Sequence, residues 1–167
     1  MRVPLRKATA ADIPAIVQAS LTSASKEDLE GFTAPEWVTY TSVDELRKVW
    51  MKDNRLQDES EVIVAEVRGR VVGFIGFKRE HDYFYVDNID VTKGEQRKGI
   101  GKALVAHVEQ VALTEGFEII KTDTTENVKG VPWSSYGFWT HIGYEDRGER
   151  LPTKWSFKTI PLVKRLR

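Results

Sequence analysis

The stretch Val86-Asp87-Asn88-Ile89-Asp90-Val91-Thr92-Lys93-Gly94-Glu95-Gln96-Arg97-Lys98-Gly99-Ile100-Gly101-Lys102-Ala103-Leu104 changes its period partway along. Up to Val91 it reads as the end of a strand beginning at Tyr83, rich in β-branched and aromatic residues. From Ile100 onward Ala103, Leu104, His107, Val108, Val111 and Ala112 fall on one helical face, and Gly116 ends the helix. Gly99 and Gly101 stand where the loop enters that helix. Glycines there let the backbone approach a ligand, and unpaired N–H groups together with the helix dipole make an anion site. Arg97, Lys98 and Lys102 add positive charge where a diphosphate would sit.

Two phosphate-binding patterns fail on specific residues. Gly94 and Gly99 have the Walker spacing, but Ile100-Gly101 follows, so neither the lysine nor the magnesium-binding hydroxyl is in place. A dinucleotide fingerprint needs a third small residue where this chain has Leu104, and it follows its strand directly. Asp123 lies at a plausible distance for a ribose contact, yet the loop-like Thr92–Lys98 intervenes after an antiparallel run.

Upstream, Glu61–Val67 and Arg70–Lys78 read as strands joined through Arg68-Gly69, a hairpin. Before them comes a short strand within Arg2–Ala8, then a helix capped by Thr9 and Asp12 with Ile13, Ile16, Val17 and Leu21 at helical spacing. Residues 25–40 are irregular, with Phe32, Trp37 and Tyr40 exposed in the reading. A second helix starts at the Ser42–Glu45 capping box and runs through Leu46, Val49 and Trp50. Downstream the pattern gives a strand over Phe117–Asp123, a loop containing Pro132 and a short helix around Tyr136–His141. Strands over Tyr144–Arg150 and Trp155–Val163 close the chain. The order predicts an α/β or α+β fold with a mixed sheet, in one domain over residues 1–167.

Composition narrows the function classes. With 25 basic and 25 acidic residues the chain has no net pull towards nucleic acid or anionic lipid. Lys158, Lys164, Arg165 and Arg167 read as a solvated edge, so no nucleic-acid or membrane partner is expected. No cysteine is present, which excludes disulfides and thiolate chemistry and fits a cytoplasmic protein. The N-terminus shows no signal-peptide pattern. His81 and His141 have no partner at metal-ligand spacing, so no metal site is expected, and His107 reads as a core or boundary histidine.

Gln96-Arg97-Lys98-Gly99-Ile100-Gly101 resembles the acetyl-CoA loop of the GCN5-related N-acetyltransferase (GNAT) superfamily, Gln/Arg-x-x-Gly-x-Gly/Ala. Its context agrees: the strand end at Val91, the Val64-Ala65-Glu66 to Gly73-Phe74-Ile75 hairpin, and Phe138-Trp139-Thr140-His141-Ile142-Gly143-Tyr144, which is similar to the family's Phe-Tyr-x-x-x-Gly-Phe. The resemblance covers residues 2–150. It implies a central mixed, mostly antiparallel twisted sheet of about seven strands flanked by about four helices and splayed at the strand before the pyrophosphate loop.

The resemblance further implies direct transfer of an acetyl group from acetyl-CoA, the co-substrate, to a primary amine. The backbone of Ile89 and Val91 would pair with the pantetheine arm as an added strand does. The N–H groups of Gln96, Arg97, Lys98, Gly99, Ile100 and Gly101 would hold the pyrophosphate, with Lys102 beside them. An alkyl ammonium with pKa ~10.4 must lose a proton before it attacks, and a departing thiolate gains from a donor. Asp87 shares strand parity with Ile89 and Val91 and is the expected base, with Asp90 on the other face unless a bulge shifts the register. The family's acid position is occupied by Trp139, whose indole cannot serve as proton donor, so Tyr136 on nearly the same helix face is the expected acid, with solvent as the alternative. Trp139 would instead pack on the CoA arm.

Asn127 matches an asparagine that bonds pantetheine in the family, or is a turn residue. The acceptor reads only as a small cationic amine or a protein amine. A non-catalytic acyl-CoA-binding module is the alternative function, and a nucleotide-dependent enzyme a distant third. Such folds commonly form homodimers, which this sequence does not derive.

Overall fold

The computed structural model describes residues 2–23 and 40–167. Two strands near the middle of the chain organise everything else. β4 (Glu61–Val67) and β5 (Arg70–Arg79) pair antiparallel around Arg68-Gly69, both at positive φ, 53° and 75°. Residues 62–65 are buried on both sheet faces, which is why they form an unbroken apolar run rather than an alternation. Val62 and Val64 join one core with Phe74, Ile13, Ile16, Val17 and Leu46. Ile63 and Ala65 join the other with Ile75, Phe77, Ile100, Leu104 and Val108.

The first core lies beneath α1 (Ile13–Thr22) and α2 (Val43–Val49). A 3-10 turn, Ala10–Asp12, leads into α1. The Thr9 N–H donates to Asp12 Oδ2 at 2.7 Å, and the Arg6 guanidinium of β1 (Leu5–Lys7) grips the same carboxylate through both oxygens, at 2.8 and 2.9 Å. That grip holds the Asp12 carboxyl below its usual range. A depressed carboxyl stabilises the fold above the unfolded-state value and loses that contribution as pH falls through it. Asp12→Ala should cost about 2–3 kcal/mol at neutral pH, much less at pH 3, read by urea unfolding.

Leu21 departs from expectation: it is 49% exposed, and the buried face of α1 runs through Ile13, Ile16, Val17 and Ser20. Trp50 belongs to no helix. It opens β2 (Trp50–Lys52), which pairs with β3 (Arg55–Leu56), because α2 ends at Val49 in an extended cap. Phe32 and Trp37 lie outside the described residues.

The second core lies beneath α3 (Ile100–Thr114) and α4 (Ser135–His141). The sheet order is β2-β3-β4-β5-β6-β7-β10-β8, with β6 (Phe84–Val91), β7 (Ile119–Glu126), β8 (Glu145–Asp146) and β10 (Lys158–Arg165) completing it. β1 pairs with β4, and β9 (Leu151–Pro152) with β10. The extended reading of Tyr144–Arg150 contracts to two paired residues, and Trp155–Phe157 precede rather than form the last strand. Among the described residues all strand pairs are antiparallel except β6 with β7. This is the expected α+β fold: among the described residues four helices lie on a mixed, mostly antiparallel open sheet.

The parallel pair joins only Phe84 with Ile120 and Tyr85 with Lys121, after which β6 and β7 part. Thr122 bridges the start of the gap, its hydroxyl donating to the Val86 carbonyl at 3.1 Å.

Candidate active site

The Thr92 N–H turns back to the Val72 carbonyl of β5 at 2.8 Å. By strand alternation, Ile89 and Val91 therefore aim their backbone groups at the other edge, the one β7 leaves open. The Val91 carbonyl is already used: the Gln96 side-chain amide donates to it at 2.9 Å. The Ile89 amide groups and the Val91 N–H remain along that edge.

The loop after β6 winds through Gly94 and Arg97, at φ 96° and 65°, to Gly99 at φ 82°, which serves as N-cap of α3. Positive φ at Gly99 turns the chain into the helix without the Cβ clash another residue would meet. The first intrahelical bond of α3 runs from the Ala103 N–H to the Gly99 carbonyl, at 3.0 Å. The preceding N–H groups have no intrahelical carbonyl to meet, and they collect at this end of the dipole. Gly101 serves packing: a Cβ there would stand 3.2 Å from Cε1 of Phe138 on α4.

A cavity of about 670 Å³ opens between this loop and α4. Ile89, Asp90 and Val91 form its β6 wall, and Gln96, Arg97, Gly99, Ile100, Gly101 and Lys102 its loop wall. Trp133, Ser134, Ser135, Phe138, His141 and Ile142 face them from the α4 side, and Ser23 closes one end. Nine of the residues expected to bind cofactor belong to the β6–loop stretch, and eight of those nine line this cavity. Lys98 is the ninth; its ammonium pairs with Glu95 at 3.1 Å.

Three of the residues expected at the site do not line this cavity. Trp139 is 2% exposed and packs edge-on against Phe138 and Tyr144 in the core, so Phe138 rather than Trp139 faces the cavity. Asn127 Oδ1 accepts from the N–H groups of Lys129 and Val131, both at 2.9 Å, which makes it the turn residue of its own loop. The Tyr136 hydroxyl donates to Asp146 Oδ2 at 2.9 Å, against a carboxylate that Arg150 also grips, and Tyr136 does not line the cavity. Helical spacing from Trp139 gave Tyr136 the correct element but could not show that β8 takes its hydroxyl. Tyr136→Phe should leave kcat and KM within about threefold of the parent, losing at most the hydrogen bond's ~1 kcal/mol in stability, as steady-state kinetics and urea unfolding would read.

Asp87 sits at a β-bulge. Gly76 pairs with Asn88 and Phe77 with Val86, so Asp87 is the extra residue on β6. The bulge reverses the expected parity. Asp87 lies with Lys78, 3.6 Å from its ammonium, on the face shared with Asn88 and Asp90, whereas Ile89 and Val91 pack towards α3. Burial pushes the Asp87 carboxyl up to about 6, Lys78 opposes the rise, and Asp58 and Asp123 add repulsion. Around it stand groups the sequence reading assigned no such part. Lys78 also approaches Asp58 at 3.9 Å, the Tyr85 hydroxyl donates to Asp123, and the Asn88 amide reaches the Tyr40 hydroxyl at 3.5 Å. Lys78 was legible as the hairpin neighbour of this part of β6; Asp58 and Asp123 come from distant segments.

Asp90 is the other carboxylate of this face. Its oxygens accept from the hydroxyls of Ser20 at 3.1 Å and Ser23 at 2.8 Å, and burial raises it to about 7 against those bonds. Among the described residues no helix is long and apolar enough to cross a membrane.

Solved structures with this fold are numerous. A GCN5-related N-acetyltransferase from Rhodopseudomonas palustris superposes with a TM-score of 0.74 at 16% identity, over 99% of this chain and 96% of that one. A Thermoplasma acidophilum PaiA N-acetyltransferase in complex with coenzyme A gives 0.65 at 16%, over 99% of each chain. The ribosomal-protein-S18-alanine N-acetyltransferase of Escherichia coli gives 0.68 at 13%, over 99% of this chain and 94% of that one. No curated protein matches the sequence significantly. At such identities the superpositions speak for the fold alone. The family profile does more: that of the acetyltransferase (GNAT) family matches residues 25–138, over half of the sequence, and the chain belongs to that family.

Proposed function

We propose that the protein transfers the acetyl group of acetyl-CoA directly to a primary amine, with Asp87 as the base. The observation that carries this is the cavity joining the open edge of β6 to the glycine loop, with Asp87 on the same strand. The pantetheine arm would bond the Ile89 amide groups and the Val91 N–H, and the diphosphate would rest on the N–H groups of Gln96–Gly101. Arg97 and Lys102 supply positive charge there. That set fits an acyl-CoA: an extended amide chain asks for a free strand edge, and a diphosphate for a helix N-terminus.

In this reading the amine enters on the Asp87 face as an ammonium. Asp87 is ionised above pH about 6, where it binds the ammonium and takes its proton. The free amine attacks the thioester carbonyl, the C–N bond forms, and the C–S bond breaks with its electron pair leaving on sulfur. With Tyr136 committed to Asp146 and Trp139 in the core, the proton the nitrogen sheds as the amide forms passes through water to the thiolate, and Asp87 returns its own proton to solvent. A thiol of pKa ~8.5 is a tolerable leaving group near neutrality without a dedicated acid.

The E. coli neighbour acts on a protein's alanine, and both a protein amine and a small cationic amine suit a carboxylate at position 87. The deciding experiment is thiol release from acetyl-CoA over a panel of polyamines, aminoglycosides and lysine peptides. Failure to bind acetyl-CoA would sink the proposal. Tight binding with no transfer to any amine would turn the reading to a non-catalytic acyl-CoA-binding module.

A further inference from the structure

We infer that Asp90 is a positioning residue for the cofactor, acting on the pyrophosphate loop through Ser23 and Gln96; this rests on the cavity being the acyl-CoA site. Gln96 opens the loop, and its side-chain amide nitrogen has two hydrogens. One goes to the Val91 carbonyl at 2.9 Å and the other to the Ser23 carbonyl at 2.6 Å. Both donors are thereby committed, and the loop is tied to the end of β6 and to the residue that caps α1. Ser23 would make a loose anchor by itself. It is held in turn by its own hydroxyl, which donates to Asp90 Oδ1 at 2.8 Å, while Ser20, one turn earlier, donates to Asp90 Oδ2 at 3.1 Å.

The chemistry of Asp90 argues that this is a built feature. Its partner across β5 is Phe74, in the apolar core beneath α1, and a carboxylate in such surroundings costs free energy. Among the described residues, two neutral hydroxyls offset that cost. A carboxylate has two acceptor oxygens, and here one is used for Ser20 on the buried face of α1 and the other for Ser23, its C-cap. The resulting chain runs from Ser20 and Ser23 through Asp90 on one side and through Gln96 on the other. Asp90, Ser23 and Gln96 all line the cavity. A loop held at both ends presents its N–H groups in place before the ligand arrives, so less ordering is left for binding to do.

The test is a double-mutant cycle on the affinity of the full chain for acetyl-CoA, by isothermal titration calorimetry. Gln96→Ala and Asp90→Ala should each weaken binding about tenfold, and the double variant by about 10–20-fold rather than the ~100-fold of independent sites. Asp90→Asn, whose amide still accepts from one serine and donates to the other, should return affinity to within about threefold of the parent. A ~100-fold loss in the double variant, or an Asp90→Ala affinity equal to the parent's, overturns the inference while the parent still binds. If the parent itself fails to bind, the cofactor reading falls and takes this inference with it. Should Asp90→Ala not fold, Ser23→Ala paired with Gln96→Ala decides by the same coupling criterion.

Discussion

Replacing Asp87 with asparagine should lower kcat by about 10²–10³ with the amine acceptor while leaving acetyl-CoA affinity unchanged. The substitution keeps the size of the side chain and one acceptor oxygen but removes the charge that binds an ammonium and the basicity that deprotonates it. Asp87 is not among the residues lining the cavity proposed for acetyl-CoA, which is why the two effects separate. The pH profile gives an independent check. Burial raises this carboxyl to about 6, and a base works only when ionised. Activity should therefore rise as pH increases through about 6 and be lost below it, and this limb should vanish from the residual activity of the variant. Lys78, 3.6 Å away, holds the value down, so Lys78→Met should move the limb to higher pH. Equal kcat in parent and Asp87→Asn would remove Asp87 from the mechanism.

The second large effect is expected at Gly99. Valine there must adopt φ 82°, a conformation that a β-branched residue resists, at a cost of about 1–3 kcal/mol. Nothing stands within 4 Å of the added Cβ, so the fold itself should survive with lowered stability. The ligand site should not. Relief of the strain rotates the peptide that turns the loop into α3, and the N–H groups ahead of Ala103 lose their common direction. A weakening of acetyl-CoA binding by 100-fold or more, about 2.7 kcal/mol, is the expected calorimetric result. Gly101→Leu should show a different balance, because its Cβ would press on Phe138 at 3.2 Å and disturb α4 packing as well as the cavity. Binding by Gly99→Val within threefold of the parent would show that the loop's backbone does not hold the diphosphate.

Much of this arrangement was legible locally. The glycine loop, the strand before it and the amphipathic helix after it depend on residues close in sequence, and eight of the nine expected cofactor contacts in that stretch line the cavity. The placement of the α4 side chains was not legible in the same way. Trp139 and Tyr136 were placed on the right helix, yet which of their faces meets the core and which meets β8 depends on packing against Tyr144 and Asp146. Asn127 satisfies its own turn, a local option that its residue type had already offered.

The parity of Asp87 illustrates the limit most directly. A strand's alternation follows from covalent geometry, but a bulge is a property of the pair, and its place is set where β5 and β6 come into register at Gly76 and Phe77. The sequence by itself determined that a glycine loop joins a strand to a helix whose N-terminus suits a diphosphate, because backbone freedom and hydrophobic period are local. Only the tertiary structure decided that Asp87, Asn88 and Asp90 share one face, that Asp58 and Asp123 come near the first, and that Ser20 and Ser23 hold the last. Those contacts join segments tens of residues apart, and no local propensity carries their distances.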